Sequence, residues 1–177
     1  MNLPNAITIA RIALVPLFLV VAYSRSRGGA LAAFVVFLVA SLSDLLDGYL
    51  ARRSSIVTRT GEFLDPLADK LLVGAALVAL VATRGFPLWA ASVIAAREVT
   101  IQLLRTRIVK AGGTLPASRF AKVKTLLQIC MVSWWLLPWG EISVVHWVWL
   151  GATLVATVLS GAEYFARRPR REVAVER

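Results

Sequence analysis

Six apolar runs, each close to the roughly 20 residues that a helix needs to cross a bilayer, leave this 177-residue chain little room for anything else. They cover residues 6–23, 30–50, 64–83, 87–104, 120–137 and 144–165. With 58% hydrophobic residues and a mean hydropathy of +0.72, the chain is too apolar for an ordinary soluble domain. In hydrocarbon every backbone polar group must be satisfied within its own segment, which selects helices for runs of this length. The expectation is an all-α, polytopic membrane protein, a bundle of six transmembrane helices. It is read as a single domain over residues 1–166 followed by a basic cytoplasmic tail, 167–177. The first run lacks a basic region before it and five more follow, so it is read as a retained span rather than a cleaved signal.

The net charge of +10, from 20 Lys and Arg against 10 Asp and Glu, lies mostly in the segments between apolar runs. That placement favours membrane lipids and phosphorylated substrates as partners and argues against nucleic acid. If the N-terminus is cytoplasmic, fourteen Lys and Arg fall in cytoplasmic segments and only Arg25, Arg27 and Arg84 on the other side. Both termini then face the cytoplasm. Cys130 is the single cysteine, so no intramolecular disulfide can form and the redox compartment is not reported.

All four aspartates fall between residues 44 and 69, in D-L-L-D-G-Y-L-A-R, eight residues, then G-E-F-L-D-P-L-A-D. At helical spacing Asp44, Asp47, Gly48 and Ala51 lie within about 100° of arc, and Gly61, Asp65 and Asp69 within about 80° on the next helix. Unpaired carboxylates at the edge of a bilayer would cost several kcal/mol each. A hard divalent cation relieves that cost, and all-oxygen ligands suit Mg²⁺, Mn²⁺ or Ca²⁺ better than zinc. Gly48 and Gly61 on the same stripes would let a ligand approach the backbone. Pro66 is tolerated if the helix begins near Glu62 and holds it in the first turn.

This aspartate pattern resembles the signature of the CDP-alcohol phosphotransferases, integral membrane enzymes of phospholipid synthesis, with every fixed position filled. The resemblance implies Asp44, Asp47 and Asp65 as metal ligands, with Asp69 as a further ligand and the catalytic base. It implies Mg²⁺ or Mn²⁺, as two ions, and a pocket for the CDP moiety shaped by Gly48, Ala51 and Gly61 with Arg52 beside the phosphates. The donor would be CDP-diacylglycerol and CMP the leaving product. The blocks N-L-P-N-A-I-T-I-A-R, A-A-R-E-V-T-I-Q-L-L-R and S-R-F-A-K-V-K-T are similar to bacterial members whose acceptor is sn-glycerol 3-phosphate. The enzymes it resembles are homodimers of the bacterial inner or plasma membrane, and the predicted orientation puts the active site on the cytoplasmic face.

The acceptor phosphate is assigned to Arg97, Arg105, Arg119, Lys122 and Lys124, of which Lys122 and Lys124 point about 160° apart on a continuous helix, leaving one as the principal ligand. A phosphorylated acceptor suits these charges better than phosphatidylglycerol does; inositol phosphate is the alternative acceptor, and a small cation transporter the alternative class. Arg97 is expected to face a polar cavity and Glu98 to orient another cation, with adjacent positions too far apart in angle to face one neighbour. Arg11 is expected to snorkel to the interface or to pair structurally, with a part in holding the donor's phosphates as the alternative. Trp134, Trp135, Trp139, Trp147 and Trp149 read as an interfacial aromatic belt, and His146 has no assigned role.

Overall fold

The computed structural model describes the backbone of residues 3–24, 26–51, 59–111, 113–114, 119–166 and 170–171, and the side chains of residues 10–24, 26–43, 70–108, 111, 120–164 and 166. Six helices account for nearly all of it: α1 Leu3–Ala22, α2 Arg27–Ala51, α3 Arg59–Thr83, α4 Leu88–Lys110, α5 Arg119–Leu136 and α6 Val144–Ala166. Each coincides with one of the apolar runs. The class is therefore all-α, relieved among the described residues only by a two-residue antiparallel pairing of β1, Gly113–Thr114, with β2, Arg170–Arg171. That pairing ties Arg170 and Arg171 of the basic tail to the segment between α4 and α5.

Helix α1 packs against α2 and α3, α5 against α6, and α4 against α6, with α2 touching α5 across the middle. The central core is made of Phe18, Phe37, Leu80, Ile94, Met131 and Trp135 together with a high share of alanines, such as Ala33, Ala40, Ala76 and Ala79. Small residues let helix axes approach closely, the usual basis of helix association when there is no hydrophobic drive between helices. The outward faces are apolar as well: Leu17, Val35, Val78, Val93, Leu126 and Val155, one from each helix, are all exposed. One helix, Val144–Tyr164, is long and apolar enough by length and composition to cross a membrane among the described residues, and shorter apolar stretches occupy Ala10–Ala22, Arg27–Ser43 and Lys70–Thr83.

Several local expectations change. α3 begins at Arg59, so Pro66 lies about two turns inside it and not in the first turn, and the helix continues through it. Arg11 is only 2% exposed, which removes the snorkelling reading. The aromatic belt divides. Trp135 is buried and packs edge-on against Phe86 at 4.8 Å, so it belongs to the core. Trp139 stacks on Trp134 at 4.6 Å and donates its indole N–H to the Trp134 carbonyl at 3.1 Å.

Two turns set the ends of the helices. α3 stops at Thr83, and two residues on Gly85, with a φ of 67°, lies in the left-handed region that glycine enters without a steric penalty. Phe86 is thereby turned into the core, its N–H donating to the Leu80 carbonyl at 3.3 Å. At the start of α6, the Ser143 N–H donates to His146 Nδ1 at 3.0 Å, a capping interaction that satisfies a donor at the helix end. His146 is buried against Trp135 and so has a structural role.

Candidate active site

A cavity of ≈ 550 Å³ opens among α2, α3, α4, α5 and the end of α6. Its inner wall is apolar, with Phe37 and Leu77, and its polar wall is dominated by cations. Glu98 on α4 is the centre of that wall. Its Oε2 accepts from Lys70 Nζ of α3 at 2.7 Å, and its Oε1 accepts from Arg97 Nη1 at 3.2 Å and from Lys124 Nζ of α5. Lys124 is 4% exposed, and a lone buried ammonium would cost several kcal/mol, which the Glu98 carboxylate offsets. Arg97 also donates to Ser160 Oγ of α6 at 2.9 Å and lies 5.8 Å from the Tyr164 ring. Three cations thus share one carboxylate, and Arg105 and Lys122 add charge at the rim. The excess of positive charge between apolar walls attracts anions.

Arg97 and Glu98 both line the cavity and bond to each other, but their outward partners lie on different helices, Ser160 of α6 for Arg97 and Lys70 of α3 and Lys124 of α5 for Glu98, as positions about 100° apart require. Lys122 and Lys124 lie on one uninterrupted helix, since α5 starts at Arg119, and they differ as their angle requires: Lys124 is buried and Lys122 exposed.

Of the acceptor-phosphate residues, the cavity brings together Arg97, Arg105, Lys122 and Lys124. The side chain of Arg119 lies outside the described residues, as do those of Asp44, Asp47, Gly48, Ala51, Gly61, Asp65 and Asp69; Arg52 lies outside them altogether. Their helices are nevertheless placed. Asp44, Asp47, Gly48 and Ala51 belong to the C-terminal part of α2, and Gly61, Asp65 and Asp69 to the first three turns of α3. Cavity-lining Phe37 and Ser41 precede Asp44 at steps of four and three residues, and Asp65 and Asp69 precede cavity-lining Val73 and Leu77 at steps of four. In helical register the two acidic stripes therefore continue the stripes that line the cavity.

Two residues of this wall were missed by sequence reasoning. Lys70 was hidden as the neighbour of Asp69, although a cation opening an apolar run was a usable signal. Gln128, 3% exposed with no partner for its Nε2 among the described residues, lines the cavity one helical turn beyond Lys124. Its place at i+4 from Lys124 was the available clue.

A helical bundle with a cationic cavity under two acidic helix ends defines a class of protein that handles phosphate groups beside a greasy wall. The chain belongs to the CDP-alcohol phosphatidyltransferase family, whose model matches residues 1–159. It is an enzyme of that family. It is 39% identical to the CDP-diacylglycerol–glycerol-3-phosphate 3-phosphatidyltransferase of Bacillus subtilis over 94% of each chain. It is 34% identical to a probable phosphatidylglycerophosphate synthase of Mycobacterium tuberculosis, over 96% of this chain and 82% of that one. Among solved structures its fold is similar to that of the M. tuberculosis phosphatidylinositol phosphate synthase in apo form, with a TM-score of 0.68 at 20% identity over 99% of this chain and 94% of the other. The same enzyme has been solved with manganese and citrate, at a TM-score of 0.66, and with CDP-DAG bound, at 0.67.

Proposed function

We propose that this chain transfers the phosphatidyl group from CDP-diacylglycerol to sn-glycerol 3-phosphate, giving phosphatidylglycerophosphate and CMP in bacterial phospholipid biosynthesis. Curated relatives carrying that activity in their names, at 39% and 41% identity, support the acceptor over inositol phosphate. The observation that carries the site reading is the continuity of register between the cavity-lining stripes of α2 and α3 and the aspartates beyond them. The cavity then holds the acceptor next to the place where the donor's phosphates are cut.

In this reading Asp44, Asp47, Asp65 and Asp69 hold two divalent cations, Mg²⁺ or Mn²⁺, and their all-oxygen donor set fits such ions. When bound, the ions neutralise charge on the oxygens around phosphorus. Gly48, Ala51, Arg52 and Gly61 take the CDP moiety. The acceptor's phosphate is held by Lys124, with Arg97, Arg105, Arg119 and Lys122 contributing, so that its primary hydroxyl, on C1, points towards Asp69. Asp69 accepts the hydroxyl proton as the oxygen attacks the donor's β-phosphorus, and the bond to the CMP oxygen breaks. Positioning of this kind supplies most of the acceleration in phosphoryl-type transfer.

All six helices cross the membrane, their exposed apolar faces in contact with lipid. The aspartate ends of α2 and α3 face the cytoplasm, residues 1–166 form the catalytic domain, and the active unit is a homodimer in the bacterial inner or plasma membrane. The test is an acceptor panel with purified protein and CDP-diacylglycerol, following CMP release. Fastest release with glycerol 3-phosphate supports the assignment; a preference for inositol phosphate or phosphatidylglycerol would overturn it.

A further inference from the structure

Glu98 has no part in the reaction as derived above, yet it touches cations from three helices. Lys70 comes from α3, Arg97 from α4 itself and Lys124 from α5. A carboxylate so placed does two things. It gathers ammonium and guanidinium groups that would otherwise repel each other and spread apart. It also leaves the cluster with two positive charges in excess, which matches a phosphate monoester carrying nearly two negative charges at neutral pH.

We propose that Glu98 is a positioning residue for the acceptor, holding Lys70, Arg97 and Lys124 as a preformed cradle for a phosphate monoester. The proposal rests on the acceptor pocket described under Proposed function, and goes beyond it by assigning the cradle's geometry and charge to an anion that does not touch the reacting atoms. Lys70 directly follows Asp69 in α3, so the grip on Lys70 also ties the cradle to the helix that carries the base. Arg97 is steadied from the other side by Ser160, so it is the cation least dependent on Glu98. Lys124, buried and bonded by its ammonium to Glu98, is the most dependent.

The experiment is steady-state kinetics of Glu98→Gln, with glycerol 3-phosphate varied at saturating CDP-diacylglycerol and the reverse. Gln keeps the shape and one acceptor but removes the charge that gathers the cations. The expected result is a KM for glycerol 3-phosphate raised about tenfold or more, as for loss of a charged hydrogen-bond partner, with the donor KM and the kcat at saturating acceptor unchanged. Glu98→Asp, which restores the charge one methylene short, should give an acceptor KM between those of Glu98→Gln and the unaltered protein. A purely structural role would instead lower the thermal midpoint and the active fraction without moving the acceptor KM, and that result would overturn the proposal. If Glu98→Gln does not fold, Glu98→Asp decides alone: a raised acceptor KM with the donor KM unchanged supports the cradle, and an unchanged one refutes it. Failure of the functional reading looks different, because the unaltered protein would then release no CMP with glycerol 3-phosphate.

Discussion

Lys124 Nζ of α5 and Glu98 Oε1 of α4 are bonded inside the bundle, where Lys124 is 4% exposed. The pair holds the Lys124 ammonium against the inner wall of the cavity instead of its rim. Lys122, two residues earlier, is exposed and can be compared with it on the same helix.

Lys124→Ala should therefore raise the KM for glycerol 3-phosphate about ten- to a hundredfold, the effect of losing roughly 1.5–3 kcal/mol of charge-assisted phosphate contact. Lys122→Ala should raise it less, and neither should move the KM for CDP-diacylglycerol. Kinetics with the acceptor varied against fixed donor check this; an acceptor KM untouched by both changes, and by Arg97→Ala, would remove the pocket from the mechanism.

Asp69→Asn should lower turnover by about 10²–10⁴, the usual cost of losing a general base, because the amide cannot take the acceptor's proton. Donor binding should fall much less. Near-normal turnover of this variant with metal supplied would show that another group is the base.

Chelation should abolish CMP release, and Mg²⁺ or Mn²⁺ should restore it. Asp44→Asn should raise the metal concentration needed for half-maximal activity. Full activity in excess chelator is the outcome that excludes the metal role of the four aspartates.

Orientation can be read by thiol labelling after Cys130→Ala. A cysteine at Gly28 or Glu141 should react with an impermeant reagent from outside the cell, and one at Ala111 should not. Gly28 is the better site in its turn, since a Cβ there meets nothing within 4 Å whereas one at Gly29 would lie 2.4 Å from Ser24 Cβ. Labelling at Ala111 alone would invert the topology and move the active site to the opposite face.

His146→Ala should destabilise the bundle without touching catalysis. It removes the acceptor that satisfies the Ser143 N–H at the start of α6, worth about 0.5–2 kcal/mol for caps of this kind. Its edge contact with Trp135, at 5.0 Å between ring centroids, is lost as well. The thermal midpoint should fall while both KM values hold.

The six helices were legible in the sequence because each is built around one apolar run, but the start of α3 at Arg59 and the end of α4 at Lys110 were not, since there the helix continues into polar sequence that apolar length does not mark. The aspartate stripes were legible for a related reason: they depend on spacing within single helices, which a 3.6-residue period converts directly into a face. Long-range pairings obey no such rule. Whether Arg11 reaches the interface or is buried, whether Trp135 joins a belt or the core, and that Glu98 gathers Lys70, Arg97 and Lys124 all depend on which helices pack together and at what height. Those choices follow from the close approach of small-residue faces and from the cost of burying an unpaired charge, quantities that exist only once α3, α4, α5 and α6 surround the same cavity.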